Sequence, residues 1–455
     1  MGRQEFIERR PRTEAEQPPE FGPGQMTGLE FFERQCFERA ALEIGDGAEA
    51  LDEVVGYSDS DIHADNVSPR GLPVHHLPAR RAVIRAYNIV SADYFSGLGD
   101  RLTPAAIIPM HTPDEAIAEL EFVTKQLGSK VGMFGSNMAR KVPAAAANDP
   151  DTARFAVWYD VLGIDSDYDY DPVWTKCVEL GIAPTFHSAS LNQGLRLSPT
   201  NFCYSHIGHF AAAGHATAKA IFLGGVTRRF PELRFAFLEG GVGWASQLFG
   251  DLIEHWERRN AKALERMHPD KLDRAQLMRL VEKYGYDDIA AALRERGGLP
   301  DPEQAYLTGG VEDVDDFSAC QITRKEDWVD LYAKPYFFGC EADDRMNATA
   351  FGRNNPFGSK LNAIFSSDIG HFDVPDMLHP VPEAYELVED ELITPDDFRD
   401  FTFANAVRLW GTQNPKFFEG TRVAKQAATV LAAAQARSSP PPNNADPHRP
   451  NLAGR

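Results

Sequence analysis

The chain has 455 residues, of which 43% are hydrophobic and 25% charged, and its formal net charge is −21 at pH 7. A polyanion of that size is repelled by nucleic acid and by anionic membranes, so neither is expected as a partner, and the apolar fraction is that of a globular rather than a disordered chain. Five cysteines, at 36, 177, 203, 320 and 340, form an odd set with no close pair, which points to reduced thiols and a cytoplasmic setting.

In chain order, residues 1–28 read as a polar arm rich in Arg, Glu and Pro, with no apolar core of a secretory leader, and no later run has the length of a membrane helix. Residues 29–80 are irregular: a helical start at Leu29, then a Gly-, Asp-, Ser- and Pro-rich loop broken only by Val54-Val55-Gly56-Tyr57. From Arg80 the spacing of Ala82, Ile84, Ala86, Tyr87, Val90 and Tyr94 predicts an amphipathic helix, followed by a strand over Leu102–Met110. Asp114-Glu115 opens a helix through Leu127, its acidic first turn suited to the helix dipole, and Val131–Gly135 is a strand. A helix from Asp171-Pro172 runs through Leu180, a long helical block covers His206–Arg229, and Trp244–Arg259 is helical. Residues 260–330 are charged and mostly helical, an insertion that interrupts the alternation. Strands resume at Tyr336–Cys340 and Ala363–Phe365, closing helices cover Pro395–Trp410, a C-terminal helix covers 413–437, and the Pro- and Asn-rich 438–455 reads as a disordered tail.

Three strands end in chemistry. Ile182–Phe186 delivers His187, Leu233–Leu238 delivers Glu239, and Ala363–Phe365 runs into Ser366-Ser367-Asp368. Short apolar runs of this kind fit strands of a parallel sheet covered on both faces, and in an α/β barrel the C-terminal strand ends form the active-site mouth. Each residue also has a plainer reading: His187 as a hydrogen-bonded core histidine, Asp368 as a turn cap beside Gly370, Glu239 as the partner of an arginine. His371 is open between a supporting role in the site and simple exposure.

With these strands in register, the chain resembles the amidohydrolase-related family of metal-dependent barrel enzymes, in the branch that includes aminocarboxymuconate-semialdehyde decarboxylase. The resemblance runs over 81–412 and is carried by Arg85-Ala86-Tyr87-Asn88, Pro109-Met110-His111-Thr112-Pro113, Thr185-Phe186-His187, Phe230-Pro231-Glu232-Leu233, Leu238-Glu239-Gly240-Gly241-Val242-Gly243-Trp244, Ser367-Asp368 and Asn405-Ala406-Val407-Arg408-Leu409. It implies a TIM-type (β/α)8 barrel and a divalent metal, zinc first with manganese or iron as alternatives. His187 then stands at the fifth-strand ligand position and Asp368 at the eighth-strand position. Where many relatives carry a sixth-strand histidine this chain has Glu239, a further ligand or a proton shuttle.

The departure is at the start. The family's first-strand His-x-His is absent, and the nearest substitute is Asp61-Ile62-His63, whose two outer side chains share a face if extended. The first one or two strands are therefore expected to be missing or distorted, leaving the strands near Leu102 and Asn362 with open edges that invite a second copy or a paralogous barrel chain. The activity implied is that of a metal-dependent hydrolase or non-oxidative decarboxylase on a small carboxylated or cyclic molecule. The rival is a non-catalytic barrel subunit paired with a complete paralogue.

Overall fold

The computed structural model describes residues 77–148, 156–187, 190, 193–265, 271–298, 315–369, 371, 374, 376 and 378–438. Asp61, His63, the N-terminal arm, most of the 29–80 region and the tail beyond Ser438 lie outside the described residues.

The first element is α1 (Leu77–Phe95), leading to β1 (Ala105–Ile108), α2 (Pro113–Lys125) and β2 (Val131–Phe134). A hairpin of β3 (Met138–Lys141) and β4 (Val157–Asp160) precedes α3 (Asp171–Leu180) and β5 (Pro184–Phe186). Next come α4 (His209–Leu223), β6 (Phe235–Phe237) and α5 (Gly243–Arg259), then the insertion helices α6 (Arg274–Tyr284) and α7 (Asp287–Glu295). The chain returns through β7 (Tyr336–Glu341) and β8 (Asn362–Ser366) to α8 (Pro380–Glu389), α9 (Asn405–Gln413) and α10 (Ala424–Ser438).

Six strands form one parallel sheet in the order β1-β2-β5-β6-β7-β8, and β3 and β4 pair antiparallel outside it. The helix boundaries have local causes. At α2, Thr112 caps the helix by accepting from Glu115 N at 3.3 Å, with Pro113 in the first turn; α3 ends at Gly181, whose φ of +68° permits the left-handed turn. The helical block expected over His206–Arg229 is three pieces, broken at Gly208 (φ +72°) and at Gly225 (φ +70°). The C-terminal helix starts at Ala424, later than the 413 expected, because 414–423 is taken up by turns. The hairpin was not anticipated, since Met138-Ala139-Arg140-Lys141 has no strand-like alternation. It exists for tertiary reasons: Arg140 donates to Asp160 Oδ2 through Nε and Nη2 (3.0 and 2.8 Å) and to the His111 carbonyl (2.6 Å), and so ties the loop after β1 in place.

Pairing in register puts Phe134, Phe186, Phe237 and Phe338 side by side across β2, β5, β6 and β7. Their ring centroids follow at 6.1, 5.5 and 6.1 Å, the last two pairs stacked, and all four are buried in the main core under α2 to α5. The opposite face is filled by Ala183, Ala236, Phe337 and Ile364, against which Leu409 of α9 packs. Helix α9 thereby sits near the strand starts, where Gln413 Oε1 accepts from Arg234 N at 3.1 Å. The sheet's chemistry is left to its other end.

At the outer edge of β1, which the sequence leaves open, a side chain serves one residue. Asn88 of α1 donates to the Ile107 carbonyl at 3.0 Å and accepts from Ile107 N at 2.7 Å, taking the place of a neighbouring strand. Its amide also donates to Glu119 at 3.0 Å, and Arg85 bonds the other oxygen of Glu119 at 2.8 Å. The same device recurs at β8, where Asn405 donates to the Ala363 carbonyl at 2.8 Å. Two of the motifs that carry the family resemblance thus serve the sheet rather than the reaction. Asn88→Ala should cost about 3 kcal/mol, because it strands both backbone groups of fully buried Ile107. Urea unfolding checks this, and a loss below about 0.5 kcal/mol would mean that the edge is satisfied in another way.

Candidate metal and proton-transfer site

Three strands of the parallel sheet, β5, β6 and β8, run in the same direction, so the residues that follow their ends emerge at one side. His187 follows Phe186 directly, and its ring meets Phe210 edge-on at 5.0 Å. Glu239 lies two residues beyond β6. Simple alternation from buried Phe237 would turn Glu239 toward the helices, but its backbone takes φ +61°, a left-handed conformation uncommon outside glycine, which re-aims the side chain. The result is a hydrogen-bonding contact between His187 Nε2 and Glu239 Oε2. Asp368 has the same unusual backbone, φ +48°. Its carboxylate lies 3.6 Å from His371 Nε2, and ligand atoms of Glu239, Asp368 and His371 all fall within 4.8 Å of one another.

The glycines around Glu239 make this approach possible. A Cβ on Gly240 would fall 3.0 Å from Ala211 Cα at the start of α4, and one on Gly339 of β7 would fall 2.9 Å from Leu238 Cα. Trp244 then anchors the turn in the core, its ring packed edge-on against Phe237 at 6.0 Å and Phe338 at 5.4 Å. The run Leu238-Glu239-Gly240-Gly241-Val242-Gly243-Trp244 is therefore one mechanical unit that delivers Glu239.

The structure brings His187, Glu239 and Asp368 to one end of the sheet, with Glu239 standing between the histidine and the aspartate. His371, left open in the sequence, joins Asp368. Asp61 and His63 lie outside the described residues. Sequence reasoning missed Glu341 at the end of β7, in register with Ser366 of β8. Burial and then the charges of Glu239, Asp343, Asp368 and Asp344 push its carboxyl up to about 7. By surface area Glu341 counts as exposed, so solvent screens both effects. The signal was present in the sequence: Glu341 follows the apolar run Tyr336–Cys340 directly, as Glu239 follows Leu233–Leu238.

The donor set suits a divalent cation: two carboxylates and an imidazole within coordinating reach, oxygen-rich, with further carboxylates around it. Without a cation the cluster is self-repelling, and this gives a pH dependence. Glu341 in the fold holds its proton up to about 7 against an ordinary 4.5, so the folded chain binds more protons in that window and loses stability as pH rises through it. Glu341→Gln should therefore stabilise the metal-free protein by about 1 kcal/mol above pH 7, the figure discounted for solvent screening, and by nothing below pH 4. Thermal melts at pH 4 and pH 8 with chelator present test the sign; equal shifts at both would show that the carboxyl is not crowded.

None of the curated proteins matches this chain. Among solved structures it is similar to an amidohydrolase from Mycobacterium avium subsp. paratuberculosis K-10, at 18% identity over 74% of this chain and 66% of that one, with a TM-score of 0.37. It thus spans just under two thirds of that protein's length. It is similar also to a 2,6-dihydroxybenzoate decarboxylase from Rhizobium (14% identity, 83% and 94% covered, TM-score 0.43). A third is a dihydroxybenzoic acid decarboxylase from Polaromonas sp. JS666 with bound manganese and 2-nitroresorcinol (15% identity, 75% and 78% covered, TM-score 0.41). The match to a family model is broader in what it establishes: the model described as Amidohydrolase covers residues 52–289, from upstream of Asp61 through His187 and Glu239. That is more than half of the sequence, and the chain belongs to the amidohydrolase family.

Proposed function

We propose that this chain is a metal-dependent hydrolase or non-oxidative decarboxylase acting on a small carboxylated or cyclic organic molecule. The observation that carries the reading is the meeting of His187, Glu239, Asp368 and His371 at one end of a parallel sheet in a member of the amidohydrolase family. In this reading His187 and Asp368 hold the metal, Glu239 adds an oxygen ligand or bonds His187, and Asp61 and His63 complete the set from the N-terminal region that the family match includes. A bound divalent cation would lower the pKa of water or polarise a substrate carbonyl. Asp368 would accept a proton from the attacking water or return one to the product carbon, with Glu239 as the proton shuttle. The oxygen-rich donors favour manganese or iron at least as well as zinc. No observation on the described residues favours a non-catalytic subunit.

The test is metal analysis of the purified chain, followed by a screen of aromatic and aliphatic carboxylic acids and lactones. Carbon dioxide release would mark decarboxylation, and consumption of base would mark hydrolysis. About one tightly held equivalent of metal with turnover is the expected result. A chain that holds no divalent metal under any loading condition is not an enzyme of this kind.

A further inference from the structure

The segment between His187 and α4 has no place in the site chemistry just described, and its surface is unusual for this protein. From Gly181 to Pro231 the sequence contains no aspartate or glutamate, in a chain that has 67 of them among 455 residues. Within that stretch, Leu195 is 93% exposed, Leu197 60%, Phe202 58%, Tyr204 59% and Ile207 73%. Five large apolar side chains in thirteen positions, all turned outward, form a patch that an isolated soluble surface does not keep without a purpose.

Polar bonds hold the loop in shape, the Tyr204 hydroxyl among them, and Phe202 stacks on His206 within it at 4.7 Å. Ser190 Oγ donates to the His209 carbonyl at 2.8 Å and closes the base. Across the loop, Arg196 Nη1 donates to the Ile207 carbonyl at 2.6 Å, Tyr204 OH to the Leu195 carbonyl at 3.0 Å, and Ser198 N to Ser205 Oγ at 3.1 Å. From Gln193 to Gly208 the loop is bonded to itself and so pre-formed, with most of its apolar surface still turned outward.

We infer that residues 195–207 form a two-fold interface between copies of this chain. Two molecules of net charge −21 repel over most of their surfaces, and association is least opposed where neither presents a carboxylate. An isologous contact sets this acid-free apolar face against itself while the acidic remainder of each copy stays apart. The same net charge disfavours an anionic lipid surface as the occupant. This surface is distinct from the sheet edges, and the inference does not depend on the catalytic reading.

Sedimentation velocity across a roughly hundred-fold concentration range tests it. The full chain should be a dimer, and Leu195→Asp and Ile207→Asp should each weaken dimerisation at least about tenfold, because each buries a charge at the contact. Circular dichroism and melting temperature of both variants should match the parent, which separates loss of the interface from loss of the fold. Tyr286→Asp, on the insertion helices, is the control: Tyr286 is 77% exposed but lies outside the acid-free stretch, and it should leave the dimer intact. A monomeric parent, a dimer indifferent to both loop substitutions, or a dimer broken by Tyr286→Asp overturns the proposal. So does a monomer that co-sediments with phosphatidylcholine vesicles through the loop.

Discussion

Asp368→Ala should reduce divalent-metal affinity by more than about 100-fold and abolish detectable turnover, the largest functional effect expected of any single substitution in this chain. The reason is position: Asp368 lies within reach of both Glu239 and His371, so its loss opens the cluster in the middle. His371→Ala and His187→Ala then distinguish two arrangements. If the cation sits among Glu239, Asp368 and His371, the His371 variant should lose metal nearly as fully as Asp368→Ala, whereas His187→Ala should mainly disturb proton transfer through Glu239. If His187 is itself a ligand, as the family resemblance implies, the order of the two reverses. Manganese titration followed by electron paramagnetic resonance reads occupancy directly. Undiminished stoichiometric binding in Asp368→Ala would remove this end of the sheet from consideration as the metal centre.

Phe237→Ala should destabilise the fold by about 4 kcal/mol, the largest effect on stability we expect from a single side chain. The ring is 1% exposed and has aromatic neighbours on both sides in the sheet, Phe186 at 5.5 Å and Phe338 at 6.1 Å, with Tyr336 edge-on at 5.2 Å. Its removal therefore loses transfer free energy and leaves a cavity that a parallel sheet, pinned on both flanks, cannot collapse to fill. Because Phe237 is also two residues from Glu239 and packs on Trp244, the variant should bind metal more weakly even at temperatures where it remains folded. Phe337→Ala, on the opposite face beside Ala236 and Leu409, is the comparison, with a similar loss of stability and less effect on metal. Denaturant unfolding with a common m-value measures both. A Phe237→Ala loss below about 1.5 kcal/mol would mean that the aromatic row is not a packed unit.

Local chemistry made much of the architecture legible. The helices α1, α2, α3 and α5 and the strands β2, β5, β6 and β7 follow from apolar spacing, acidic first turns, Pro near the start of a helix and glycine stops, all of which act within a few residues. His187, Glu239 and Asp368 were visible for the same reason: each ends a short apolar run, and a buried strand can place a polar side chain only where it leaves the core. Tertiary structure alone decided the rest. Arg140 needs Asp160 and the His111 carbonyl, across twenty and twenty-nine residues, before Met138–Lys141 has cause to be a strand. Asn88 acts on Ile107, nineteen residues away, only once α1 lies along the β1 edge. Glu341 becomes a raised acid only when the fold takes it partly out of water and brings Glu239 and Asp368, both remote in sequence, to join its neighbours Asp343 and Asp344. Glu239 meets His187 because a left-handed backbone at one residue overrides alternation, and that conformation is held by the packing of Gly240 on α4 and Trp244 on the phenylalanine row. Periodicity can say which residues leave the core, since burial is a local pattern; which of them meet depends on how strands distant in the chain lie side by side.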